Sequence, residues 1–121
     1  MAVTIGITTI NVTIANGTSL SAAVNLGAQK LRGIAMPAAW TAAALSFQVS
    51  VDGSTFIELT DPRPSGVAYA AASGMAAAAS QYLTIDPVLF EGVAVLKVRS
   101  GVSGTPVNQG ADRVLTLSTR L

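Results

Sequence analysis

Few side chains in this chain could perform acid-base or nucleophilic chemistry. Its 121 residues contain six carboxylates and seven basic side chains, with no histidine and no cysteine. The commonest general base, the commonest metal ligand and the thiolate nucleophile are therefore missing. No nucleophile arrangement that pairs serine or cysteine with histidine can form.

The carboxylates follow local turn and cap patterns rather than the pattern of a catalytic pair. The six are Asp52, Glu58, Asp61, Asp86, Glu91 and Asp112. A glycosidase site needs two carboxyl groups that face each other across a cleft, and no spacing here implies that arrangement. The oxygen-rich loop pattern of a calcium site is also missing. We therefore expect no enzymatic activity, no catalytic residue, no metal site and no cofactor.

The basic residues are scattered, and the net charge is only +1. Lys97 and Arg99 share one face of a predicted strand, which could form a small phosphate-attracting patch. Nucleic-acid-binding domains usually have a stronger basic bias, so a solvated strand face is the favoured interpretation. The loop at residues 101–104 lacks the Lys-Ser/Thr pair of a phosphate-binding loop. We expect neither a nucleic-acid partner nor, without any run of about 18 apolar residues, a membrane partner.

The chain is poor in charge. Charged residues make up 11% of the sequence and hydrophobic residues 50%, against about 25% charged residues in typical globular domains. Much of the surface must then consist of Ala, Ser, Thr and apolar groups, and large patches of this kind usually mark contact sites. We expect a cyclic homo-oligomer with contacts between neighbouring chains at residues 1–14 or 68–80. A trimer is the favoured oligomeric state. The alternative is that alanine merely fills surface positions of a small monomeric domain.

Apolar and polar residues alternate with period two over most of the chain, which predicts β-strands. About eight strands with long connections indicate an all-β fold, a single β-sandwich or jelly-roll-like domain over residues 1–121. Residues 1–14 could act as an N-terminal arm. In the strand at residues 93–100, Lys97 and Arg99 are predicted to face solvent, as is Glu58 in its own strand.

Residues 45–59 predict a hairpin around Asp52 and Gly53. A loop at residues 51–53 places Phe47 opposite Ile57 with both buried, whereas a two-residue loop would place Phe47 opposite the charged Glu58. We therefore predict a three-residue loop in which Gly53 adopts the left-handed conformation.

Two further positions have a predicted structural role. Asp86 followed by Pro87 matches a helix N-cap with proline in the first turn, so we expect one short helical turn near residues 87–91. Trp40, the single tryptophan, lies between two predicted strands. We favour a plug that closes one end of the sandwich over a contact anchor for a sugar or a subunit.

Two sets of motifs resemble known families. The segment SVDGSTF at residues 50–56 resembles a hairpin of galactose-binding-like and fibronectin-like sandwiches, where it marks the fold and seldom an activity. The combination of LRGIAMPAAW (31–40), this hairpin, IDP (85–87) with LF (89–90), and LKVRSG (96–101) resembles small structural proteins of tailed bacteriophages. Within that group, the nearest role is a head decoration or cement protein, commonly trimeric.

The resemblance implies a non-enzymatic structural protein of the virion. Such a protein binds the outer capsid surface as an oligomer, with the major capsid protein as its partner, and stabilises the head. The alternative is a carbohydrate-binding or host-adhesion module of a phage tail or fibre, which the predicted sandwich and the Asp-Gly hairpin fit equally well. The resemblance carries over no binding residue.

Overall fold

Segments with alternating apolar and polar residues form nine β-strands in the computed structural model, which describes residues 7–60 and 74–121. The strands are β1 (Thr8–Ile14), β2 (Val24–Asn25), β3 (Lys30–Ala35), β4 (Leu45–Ser50), β5 (Ile57–Glu58), β6 (Tyr82–Thr84), β7 (Val95–Val102), β8 (Thr105–Pro106) and β9 (Arg113–Arg120). Among the described residues, the only helical element is the 3₁₀ turn Pro87–Phe90. The predicted all-β fold with one short helical turn is confirmed.

The strands pair in a nested order. β1 pairs with β9, β2 with β7, β3 with β6 and β4 with β5, and every pair is antiparallel. Pairs β3–β9 and β4–β7 join these into a first sheet, β1-β9-β3-β6, and a second sheet, β2-β7-β4-β5, with β8 added to β7. A long hairpin wrapped in this way is the jelly-roll form of the β-sandwich, one of the topologies that the strand pattern left open.

The core lies between the two sheets and is built from their inward-facing side chains. Ile14 and Leu117 of the first sheet and Phe47 and Leu96 of the second are fully buried. Phe90, from the 3₁₀ turn, packs against Phe47 with the two rings edge to face and their centroids 5.2 Å apart. The turn therefore contributes to the core through its largest side chain, which is buried.

Strand β1 pairs with β9 along its whole length without a register break, from Thr8 opposite Thr119 to Ile14 opposite Arg113. Residues 8–14 thus belong to the sandwich of their own chain instead of forming a free arm. Residues 1–6 of the predicted arm, and residues 68–73 of the predicted contact segment at 68–80, lie outside the described residues.

Apolar and polar residues alternate from Leu20 to Leu26, but only Val24–Asn25 of this segment form a strand. Leu20 forms an isolated bridge with Arg99, and regular pairing resumes only at Val24. Between them, the Ser21 hydroxyl accepts the backbone N–H of Val98 at 2.9 Å. A side-chain oxygen therefore replaces a backbone carbonyl in the ladder, which interrupts the strand.

Candidate functional site

Asp52 holds together the loop between β4 and β5. Its Oδ1 accepts the backbone N–H groups of Ser54 (2.8 Å) and Thr55 (2.9 Å) and the hydroxyl of Ser50 (2.9 Å). The Ser50 hydroxyl in turn accepts the Gly53 N–H at 2.8 Å. The hydrogen bonds from Thr55 and Ser54 hold the pKa of Asp52 well below its usual range, because they favour the ionised carboxylate. Asp52 is therefore a structural acceptor.

This network changes the predicted register of the hairpin. Val49, not Phe47, lies opposite Ile57, and the Leu59 N–H donates to the Phe47 carbonyl at 3.1 Å. Residues 50–56 form a wide loop because the side chains of Ser50 and Asp52 satisfy its N–H groups. The prediction that Phe47 is buried is confirmed, but the three-residue loop and the burial of Ile57, which is 60% exposed, were wrong.

The left-handed conformation of Gly53 is confirmed, with φ of +88°. Gly53→Val should lower the free energy of unfolding by about 1 kcal/mol or more, because a β-branched residue resists this conformation. Chemical denaturation of both proteins measures the loss. Gly104→Val is the control, since Gly104 does not have positive φ and a side chain there meets open space. Equal losses for the two variants would contradict the role given to Gly53.

Asp86 caps the 3₁₀ turn as predicted. Its Oδ1 accepts the Val88 N–H at 3.1 Å, and Pro87 takes the first position of the turn. The Glu91 N–H closes the turn on the Val88 carbonyl at 3.3 Å. The cap fixes the turn that carries Phe90 into the core.

Asp86→Ala should lower the free energy of unfolding by about 1 kcal/mol or more, because the turn loses its side-chain acceptor. Asp86→Asn keeps an acceptor and should remain close to the parent protein. Thermal unfolding compares the three proteins, and light scattering follows their association. A fully stable alanine variant that no longer associates would make Asp86 a contact residue instead.

Trp40 lies in the connection between β3 and β4. Its ring is half-buried and packs against the core cluster, and its Nε1–H donates to the Ala43 carbonyl at 3.1 Å. This is the packing expected of the predicted plug. The indole N–H, the only polar group of the ring, bonds within its own loop.

Gln109, which the sequence analysis did not single out, is almost completely buried and joins three segments. Its Nε2 donates to the Thr41 carbonyl (3.0 Å) and to the Ser100 hydroxyl (2.7 Å). Its Oε1 accepts the Thr41 N–H (2.8 Å) and the Nε–H of Arg113 (3.1 Å). Both ends of the amide are therefore satisfied. A lone glutamine in a predicted loop carries no sequence pattern that would reveal this role.

Arg99 is buried, which corrects its predicted position on a solvated strand face. Only 6% of the residue is exposed, its guanidinium forms a two-pronged ion pair with Glu58, and its Nε–H donates to the Ser46 hydroxyl at 2.9 Å. Ser46 lies directly opposite Arg99 in the ladder, and its small side chain leaves room for the guanidinium to reach β5. Arg99 holds the pKa of Glu58 below its usual range.

The pair removes the phosphate-attracting patch considered for Lys97 and Arg99. The charge of Arg99 is neutralised by Glu58, which is itself partly buried rather than fully solvated. The Lys97 ammonium lies 4.4 Å from the centroid of the Phe56 ring, a cation–π contact. Both cations thus have partners in their own chain.

The outer face of the first sheet presents mainly uncharged polar side chains. From β1, β9 and β6 it includes Thr9, Asn11, Thr13, Thr116, Ser118, Tyr82 and Thr84, with the apolar Val114 among them; the charged Lys30 and Arg120 lie opposite each other at one end. Asn11 accepts the Thr116 hydroxyl at 2.9 Å. Tyr82 lies across Gly33, where an added Cβ would come within 2.0 Å of the phenol oxygen. We call this surface the outer polar face.

A separate cavity of about 300 Å³ is lined by residues 27–30 and 90–94. The Lys30–Glu91 ion pair, at 2.5 Å, lies on its wall. Gln29 also lines the cavity and has a buried Oε1 without a hydrogen-bond partner. No group of three or more potential metal-ligating side chains occurs in residues 7–60 and 74–121, and no helix there is long and apolar enough to span a membrane.

Comparisons of the chain with protein-family models, with curated proteins and with solved structures found no match. The jelly roll itself hosts proteins with many functions, so the fold does not decide between them. Evidence for a function must therefore come from the residues of this chain and from where its charged and uncharged side chains lie.

Proposed function

We propose that this chain is a non-enzymatic structural protein of a tailed-bacteriophage virion. It assembles as a homo-oligomer, a trimer, and binds the outer capsid surface through the major capsid protein, which stabilises the head. The observation that carries the proposal is the division between charged side chains, which mostly bond within the chain, and uncharged side chains, which cover an outer face. Most charged groups of the described residues hold loops and strands together within the chain, whereas the outer polar face has its charged residues, Lys30 and Arg120, at one end.

Four features of the described residues support this division. Asp52 holds a loop, Asp86 caps a turn, Arg99 pairs with Glu58, and Arg113 bonds to Gln109. Removing water from an ionised side chain costs far more than removing it from a hydroxyl or an amide. A surface of threonine, serine and asparagine can therefore be covered by another protein at low cost, and the centres of protein interfaces are depleted in charge.

The location in a virion is supported by the sequence resemblance to small structural proteins of tailed phages. The jelly roll fits this role, since viral capsid domains use it, but lectins use it too. The proposal therefore needs a test that asks where the chain lies in a particle.

Electron microscopy of phage particles that contain the chain is that test. We expect density for the sandwich on the capsid exterior, arranged in threefold clusters. Particles that lack the chain should lose their DNA at a lower temperature than complete particles. Density on the tail or fibre would contradict the capsid role and support the second candidate function. Absence of the chain from purified particles would overturn the proposal.

The second candidate is a carbohydrate-binding or host-adhesion module. Tyr82 favours it: the residue is 57% exposed and lies against Gly33 on a face rich in hydroxyl and amide groups. An aromatic ring with a free face beside such groups can stack on a sugar. In a glycan-binding assay, Tyr82→Ala should abolish binding and Tyr82→Phe should retain it. If the unaltered chain binds no glycan, this candidate is excluded.

A further inference from the structure

In the described part of the chain, strand β1 forms an edge of the first sheet. Its seven residues pair with β9 on one side, and no strand in residues 7–60 and 74–121 pairs with its other side. Every second residue of an edge strand directs its backbone N–H and C=O away from the sheet. These groups form a template on which another strand can pair.

This edge lacks the usual protection against pairing. Natural edge strands are shortened, kinked by a bulge, or marked by charged residues or proline. The other edge strands are short: β2 and β5 have two residues each, and β6 has three. β1 has seven residues, keeps a regular register, and contains neither a charged residue nor proline. An edge of this length without protection indicates a strand that is meant to be paired.

We propose that β1 pairs with β1 of a second copy of this chain, antiparallel and about a twofold axis at Asn11. The two first sheets then join into one sheet of eight strands. The inference rests on the proposed self-association and names one of its contacts.

The sequence of β1 is complementary to itself in this register. Thr9 lies opposite Thr13 of the second copy on the exposed side, and Asn11 lies opposite its own counterpart. Ile10 lies opposite Val12 on the side that faces the core. Cross-strand pairs of threonine and of β-branched residues stabilise a sheet, and no like charges oppose each other. If the register between the two β1 strands shifted by one residue, the apolar side of one sheet would face solvent.

An exposed apolar side chain next to the edge agrees with this pairing. Ile7 directly precedes β1 and is 48% exposed. In the proposed register it lies opposite Ala15 of the second copy, where pairing would cover part of its surface. The two-fold contact closes with two copies. If its axis crosses the threefold axis of the proposed trimer at a right angle, the assembly closes with six copies.

A single cysteine tests the register, because the chain has no cysteine of its own. Directly opposed residues of antiparallel strands have Cα atoms about 4.5–5.5 Å apart, a distance that a disulfide spans. Asn11→Cys should therefore give a disulfide-linked pair under mild oxidation. Thr84→Cys, an exposed position on the opposite edge strand β6, is the control. We expect at least about tenfold more linked pair for Asn11→Cys, since only its two sulfurs are held together.

A charge at the axis tests the contact itself. Asn11→Lys sets two ammonium groups opposite each other and should weaken the pairing by about tenfold. Thr13→Lys adds the same charge to the same exposed side but lies opposite Thr9, so it should weaken pairing less. Light scattering after size-exclusion chromatography measures the mass, and circular dichroism verifies that each variant is folded.

Each outcome decides a different point. A mass that halves for Asn11→Lys, together with the Asn11→Cys cross-link, supports the contact. An oligomer that keeps its mass with Asn11→Lys, and links Asn11→Cys no better than Thr84→Cys, overturns the contact but leaves the proposed oligomer standing. A parent protein that remains at the 12.2 kDa of a single chain overturns both.

Discussion

Replacing Gln109 with leucine is expected to lower the free energy of unfolding by about 3 kcal/mol or more. Leucine has a similar size but leaves the N–H and carbonyl of Thr41 and the hydroxyl of Ser100 without the partners they have now. Each buried polar group that loses its partner costs about 1–3 kcal/mol. Since small domains are stable by only about 5–15 kcal/mol, this loss is a large fraction of the total.

Urea denaturation measures the effect, with the fluorescence of the single Trp40 and circular dichroism as independent signals. Trp40 directly precedes Thr41, so its fluorescence reports on the loop that Gln109 holds. Gln81→Leu is the matched control: Gln81 is exposed, and this change should stay within about 0.5 kcal/mol. If Gln109→Leu unfolds at the same urea concentration as Gln81→Leu, the amide of Gln109 does not join the segments as described.

The second large effect concerns the Arg99–Glu58 ion pair. Glu58→Gln at neutral pH should lower the free energy of unfolding by about 2 kcal/mol, because the guanidinium of Arg99 then loses the carboxylate charge of Glu58 in a site nearly closed to water. The value is below that for a fully buried pair because a third of the Glu58 side chain is exposed. Glu91→Gln breaks the exposed pair with Lys30 and should cost less than about 1 kcal/mol.

The same pair predicts a pH dependence. Because Arg99 lowers the pKa of Glu58 in the folded protein, the unfolded chain takes up a proton first as the pH falls. The stabilisation is therefore complete above about pH 4.3, the ordinary value for glutamate, and decreases as the pH falls through the lower folded value. The difference in the free energy of unfolding between the parent protein and Glu58→Gln should therefore become smaller as the pH is lowered from neutral to well below 4. A constant difference over that range would contradict the pairing.

Features encoded by neighbouring residues were predicted from the sequence. Asp86 and Pro87 predicted the capped turn because a cap and its acceptor N–H lie within three residues of each other. Gly53 predicted a left-handed position because few other residues adopt one. The alternation of residues such as Leu96 and Val98 predicted which side of β7 faces the core, and the same pattern in other strands predicted the sandwich.

Features that depend on distant residues were not predicted. Alternation assigns Arg99 to the outward side of β7, but in the fold its side chain bonds to Ser46 and Glu58, which lie 53 and 41 residues away. The partner of Gln109 in the β3–β4 connection is 68 residues away. The register of β4 and β5 depended on side-chain hydrogen bonds of Ser50 that compete with a tight backbone turn.

The nested strand order has a consequence for the order of events during synthesis. The partner of β1 in its own chain is β9, and Asn11 and Thr116 are separated by 105 residues. A ribosome that has just released β1 must therefore make most of the domain before that strand can enter a sheet, and closing so long a loop makes folding slow. An emerging chain has no finished first sheet to extend, so the proposed pairing at β1 can only follow the folding of β9. Self-association would then be restricted to chains that have completed their fold.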